Sequence, residues 1–122
     1  TIMHWHWASG YKFIRAGIET GDNKYFLHLG SNRCEGIIGD IKGCTGDNRP
    51  DVKLESFTPG DHVVVIDIGA LFAGVDLQGG TDGGCMSGPS NTQCEAPFRA
   101  LGLDFSTGAV VTSPPSISAE SN

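Results

Sequence analysis

The chain is short of basic residues, of long apolar runs and of every common catalytic signature. Lysine and arginine total 8 against 14 aspartates and glutamates, which leaves a net charge of −6 over 122 residues. Binding to nucleic acid or to an anionic membrane surface needs a basic footprint, so both are excluded as partners. No apolar run reaches the roughly 18 to 20 residues of a membrane span. No Gly-x-Ser-x-Gly elbow, phosphate loop or zinc-protease motif is present, so the expectation is a protein that is not an enzyme. No internal repeat or heptad is visible. Nor is there a signal peptide, and the first residue is Thr1 rather than methionine. That opening predicts a mature or truncated product whose export segment has been removed.

What the chain does have is glycine, 18 residues of it, with 6 prolines. This suits many turns and short strands, in one domain large enough to bury a core. The four cysteines fall in two close pairs, Cys34/Cys44 and Cys85/Cys94, each enclosing a loop rich in Gly, Asp and Asn. Zinc is the rival reading, but its ligand pairs usually stand two to four residues apart, closer than these. Three connectivities are possible, and local pairing is the expected one. Each bridge would stabilise the fold by about 3 kcal/mol in the chain-entropy model. Disulfides place the protein outside the cytoplasm, in the periplasm, at the cell surface or secreted.

Residues from Trp5 to Ile18 read as a strand, bent at Gly10 and ended by Gly17 to Gly21. Gly21-Asp22-Asn23 is a turn signal, and Lys24 to Leu29 alternates, with Tyr25, Leu27 and Leu29 on one face. These two segments predict a hairpin. Gly30 to Pro50 reads as a long stapled loop. Asp51 to Phe57 alternates again, with Val52 and Leu54 inward. His62 to Ile68 is a continuous β-branched run, the best central-strand candidate. Ala70 to Val75 predicts one or two helical turns. A second glycine-rich loop spans Gln78 to Gln93. The next helix should have Pro97 in its first turn, Phe98 and Leu101 inward and Gly102 at its C-cap. Beyond Ser106 only Ala109 to Thr112 reads as strand. Residues 1–113 are expected to form the β domain and 114–122 a flexible tail or a partner contact. The class is all-β, a β-sandwich with long disulfide-stapled loops and one or two short helices.

The opening stretch concentrates the chemistry. His4, Trp5, His6 and Trp7 are consecutive. On a strand the tryptophans share one face and the histidines the other. A His-x-His pair on a strand points both imidazoles the same way, which suits copper or zinc. Trp5 and Trp7 read equally well as core anchors. His28 lies in the second strand, where it can serve the sheet, and His62 follows a turn at a strand start. Asp67 would need a partner such as Arg15 if buried. The aspartates at 22, 40, 47, 76 and 82 sit among glycines without EF-hand spacing, so turn formation outweighs calcium.

Met3-x-Trp5-x-Trp7-x-x-Gly10-Tyr11-Lys12-Phe13-x-Arg15 resembles the signature of the MbnP-like proteins, also called metallo-mystery pair four-Cys motif proteins. Further blocks resemble the family in order: Tyr25 to Ser31 with Cys34, Asn48 to Leu54, and Val65 to Leu77. The last runs from Cys85-Met86-Ser87-Gly88-Pro89 through Cys94 and Pro97-Phe98 to Leu101-Gly102-Leu103. The four cysteines are those of the four-Cys motif. The resemblance covers residues 3 to 105 and looks like the C-terminal half of such a protein. Relatives include copper-binding surface proteins of methane-oxidising bacteria. The resemblance implies an exported protein paired with a di-haem cytochrome c peroxidase/MauG-like enzyme that oxidises a tryptophan to kynurenine. Kynurenine and histidine imidazoles then bind copper, a fit with copper's preference for nitrogen donors.

Carried onto this chain, Trp5 is the first choice for the modified residue and Trp7 the second. His4, His6 and His28 are the metal candidates. On a regular strand His4 and His6 face away from Trp5, so one ion can engage all three only across a bulge. Relatives use a Trp-x-His arrangement where this chain has Trp5-His6-Trp7. The leading expectation is an exported copper-binding protein. The alternative, from another class, is a structural or accessory subunit of an extracytoplasmic assembly, bound to other protein subunits and without a metal site. A calcium-stabilised adhesion module ranks last.

Overall fold

The computed structural model describes Met3 and residues 11–37, 39–77 and 83–122. The described strands pair as three antiparallel ribbons. Strand β1 (Lys12–Thr20) pairs with β2 (Asn23–Gly30), β3 (Asn32–Ile37) with β4 (Asp40–Gly46), and β5 (His62–Ile66) with β6 (Ile117–Ser121). Helix α1 (Ile68–Phe72) follows β5, and a 3-10 turn at Thr92–Cys94 leads into α2 (Glu95–Ala100). The fold is all-β with small sheets and is consistent with a sandwich.

The β1/β2 hairpin forms because both strands alternate. Ile14 faces Leu29, Ala16 faces Leu27 and Ile18 faces Tyr25 across the ladder. Tyr25, Leu27 and Leu29 are buried, and each such side chain contributes about 1.5–3 kcal/mol relative to exposure. The layer that covers them holds Leu71 and Phe72 of α1, Phe98 and Leu101 around α2, and Leu103. Tyr25 and Phe72 meet edge to face at 5.8 Å. The Tyr25 hydroxyl donates to the Gln93 carbonyl at 2.6 Å, and burial pushes its pKa up to about 12.

Both disulfides join the expected partners, Cys34 to Cys44 and Cys85 to Cys94. The second bridge is buried and ties two layers together. The Cys85 amide donates to the Phe26 carbonyl at 2.8 Å, and the His28 amide donates to the Cys85 carbonyl at 2.8 Å. Cys85 therefore runs parallel to β2 beside Leu27, while its sulfur holds Cys94, the N-cap of α2. Gly84 permits this approach. Its φ is +82°, and a Cβ there would sit 2.2 Å from the Phe26 carbonyl oxygen. Ser87 completes the seam: its hydroxyl donates to the His28 carbonyl at 2.7 Å and accepts from the Gly30 amide at 3.1 Å.

Several expectations need correction. Gly30 to Pro50 is largely a hairpin rather than a loop, because Cys34 and Cys44 lie directly opposite in β3/β4. Asp51 to Phe57 forms no strand, and Val52 is exposed, since no partner strand lies beside it among the described residues. The His62–Ile68 run is not central. It ends at Ile66, pairs with β6 and, at His62 alone, bridges Pro59, and it leaves Val64 and Ile66 exposed. Ile68 instead begins α1, which Asp67 caps by accepting from the Ala70 amide at 2.9 Å. Asp67 is exposed in that role, with no need of Arg15. Residues 114–122 carry β6 where composition reads as a flexible tail. Ala109 to Thr112 contributes a single bridge, Val110 to Leu103. Helix α2 matches the reading closely: Phe98 and Leu101 are buried, and Gly102 has a φ of +72°.

Two substitutions measure the seam and the layer it secures. Phe98→Ala should lower the unfolding free energy in urea by about 3–5 kcal/mol. Ser87→Ala should lower it by about 1–3 kcal/mol, because the Gly30 amide loses its buried acceptor. A loss below 0.5 kcal/mol (roughly the scatter of a surface change) at either position would contradict this packing.

Candidate functional site

His4, Trp5, His6 and Trp7 lie outside the described residues. Met3 and residues from Tyr11 onward are described, and the Met3 carbonyl accepts from the Lys12 amide at 2.6 Å at the start of β1. Arg15 stands opposite His28 and Gly17 opposite Phe26, and Phe13, Arg15 and Gly17 all turn outward. A Cβ at Gly17 would press on the Phe26 ring at 3.0 Å, so glycine makes room for the aromatic across the ladder. Phe26 and His28 rings lie 6.2 Å apart, and the Arg49 guanidinium sits 6.0 Å from the centre of the Phe13 ring.

Three causes hold the His28 imidazole below its ordinary pKa: desolvation first, then the positive charges of Lys12 and Arg15. The ring is therefore neutral at neutral pH, the form a metal ligand requires. Lys12 thus acts twice, its amide donating to the Met3 carbonyl and its ammonium disfavouring a proton on His28. His62 is elsewhere, at the start of β5. Its Nδ1 accepts from the Thr58 amide at 3.1 Å, and its ring packs 5.9 Å from Phe57, so it closes a turn. His28 and His62 sit in different sheets and are not brought together.

A copper site must draw on particular donors. All four cysteines are bridged, which removes thiolate. Among the described residues no three His, Cys, Asp or Glu side chains converge. Of the metal candidates His4, His6 and His28, only His28 is among the described residues. The described part of that set, a neutral imidazole, fits copper chemistry.

The sequence matches the family model for MbnP over residues 1–87. The chain belongs to the MbnP family. No curated protein and no solved structure matches it. The MbnP match takes in the His/Trp stretch, the first two ribbons' four strands, the first disulfide, β5 and α1, and it ends at Ser87 on the seam beside β2. It ties the chain to a copper-associated family. In this MbnP protein the Cys94, Pro97-Phe98 and Leu101 to Leu103 blocks lie beyond the match, though they build the layer over β2.

Composition could not have revealed the contribution of Lys12 and Arg15 to His28. Their effect depends on strand register, and only the alternation of β1 against β2 hints at it. Lys12→Gln should raise the His28 pKa toward the ordinary value near 6.5, read by NMR titration of the imidazole. Depression of the folded pKa also sets a pH dependence. The unfolded chain binds the proton first, so this contribution to stability is complete above about pH 6.5 and is lost as pH falls toward the folded value. In His28→Gln the acid-side slope of the urea midpoint should flatten. An unchanged slope would contradict the assignment.

Proposed function

We propose that this MbnP protein is an exported copper-binding protein. Trp5, or failing that Trp7, is oxidised to kynurenine by a di-haem cytochrome c peroxidase/MauG-like partner. With two equivalents of peroxide as oxidant the indole C2–C3 bond is cleaved to N-formylkynurenine, and hydrolysis releases C2 as formate to free the amine. The observation that carries the reading is the MbnP match across the opening block, joined to the neutral His28. His4, His6 and His28 hold the ion, with the amine and carbonyl of kynurenine adding donor atoms that tryptophan lacks. The protein's own contribution is placement. The Met3–Lys12 hydrogen bond ties the residue before His4 to β1, and burial with Lys12 and Arg15 disfavours a proton on His28. Copper, when bound, supplies redox or storage chemistry, and the chain itself acts as substrate and partner of the di-haem enzyme rather than as a catalyst. Two disulfides support an oxidising compartment, in the periplasm, at the cell surface or outside the cell.

A second reading, an accessory subunit without a metal, is favoured by one observation: the apolar strand β5 leaves Val63, Val64 and Ile66 exposed. Tandem mass spectrometry of the natively produced protein, with a copper titration, separates the two. The copper reading expects kynurenine in the peptide holding Trp5 and Trp7 and stoichiometric copper. His4→Ala with His6→Ala should then weaken copper binding by more than the roughly 10–100-fold loss typical of an outer-shell change. Intact tryptophans together with no stoichiometric copper would sink it and leave the subunit.

A further inference from the structure

A two-stranded ribbon is marginal in water by itself and needs a further source of stability. The first ribbon has one, because β2 buries Tyr25, Leu27 and Leu29. The second has another, because Cys34 and Cys44 are joined across β3/β4. The third has neither. No residue of β5 or β6 is buried, and no disulfide reaches it. Hydrogen bonds hold its ends: the Asp67 amide to the Ser116 carbonyl at 2.8 Å, and the Asn122 amide to the Asp61 carbonyl at 2.9 Å. Ile117 gives it one partial contact with the core.

Yet β5 is the most apolar of the described strands, His62-Val63-Val64-Val65-Ile66. Such a run is the composition of a strand covered on both faces. Here Val63 is 41 %, Val64 53 % and Ile66 52 % exposed. Its ladder also stops short. Beyond β6, no backbone group among the described residues bonds to residues 63–66. Proteins guard an open edge with charge, proline or a bulge. The β6 edge has Glu120, but the β5 run contains no charge and no proline.

The flanks of β5 identify what fits. Asp61 and Asp67 stand at its two ends, both exposed. A second copy paired antiparallel about Val64 would set Asp61 against the copy's Asp67 twice, and like charges directly opposed are destabilising. An incoming segment with a basic residue at each end meets the same geometry with attraction. We propose that the outer edge of β5 accepts an added strand from another polypeptide. That strand is an extended apolar segment flanked by lysine or arginine. Backbone hydrogen bonds supply the affinity, and the two aspartates set the register and the specificity. This inference is independent of the copper reading.

The test titrates the whole protein with a seven-residue peptide alternating valine and threonine between terminal lysines, and follows amide hydrogen exchange residue by residue. The expected result is new protection within residues 62–66 on saturation. Val64→Lys and, separately, Ile66→Lys should each weaken binding at least about tenfold. Both sites are exposed, so the melting curve should be retained. Asp61→Asn with Asp67→Asn should remove most of the salt dependence. Absence of protection at 62–66 would overturn the proposal, as would equal binding of a peptide with terminal aspartates. So would a dimer of the free protein that Val64→Lys dissolves, because the occupant would then be a second copy.

Discussion

The structure depends on a single main-chain exchange, in which Cys85 inserts its amide and carbonyl between those of Phe26 and His28. That exchange adds a third strand-like segment to the edge of β2. Through the sulfur of the same residue it delivers α2 to the buried face of the hairpin. Everything nearby serves this contact. Gly84 removes the side chain that would strike β2, and Ser87 satisfies the backbone on either side of Leu29. Asn48, buried, donates its side-chain amide to the Gly30 carbonyl at 2.9 Å and closes the end of the strand. Without the exchange, α2 would lose its covalent and main-chain tie to the hairpin that Phe98 packs against.

The consequence for function is a division of labour between the two faces of one hairpin. The inward face of β2 is committed to the core. The outward face carries Arg15, which is exposed, with Phe26 and His28, which are half-buried. Rigidity on one side and chemistry on the other is what a binding site on a small scaffold requires.

Much of this was legible in the residues. Tyr25, Leu27 and Leu29 announced their shared face by alternation, and Pro97, Phe98 and Gly102 marked the start, inner face and end of α2. Close cysteine spacing was a sufficient guide to both bridges. The β3/β4 hairpin was not legible, because its glycines and aspartates spell a loop and its stability comes from a cross-strand disulfide rather than from apolar alternation. The β5 run misled for the opposite reason: β-branched residues report a preference for burial, and preference says nothing of whether this chain supplies the cover. The low pKa of His28 was hidden because it arises from burial and from charges that only strand register brings near.

The two disulfides also differ in a way that spacing could not convey. Cys85 and Cys94 are fully buried, whereas Cys34 and Cys44 retain contact with solvent. Thiol–disulfide exchange requires an attacking thiolate to reach a sulfur. The first bridge is therefore open to reductants while the protein is folded, and the second becomes open only after α2 has left its seat. Reduction would begin at the outer hairpin and leave the core for last, so the protein would tolerate a brief reducing episode with its central fold intact.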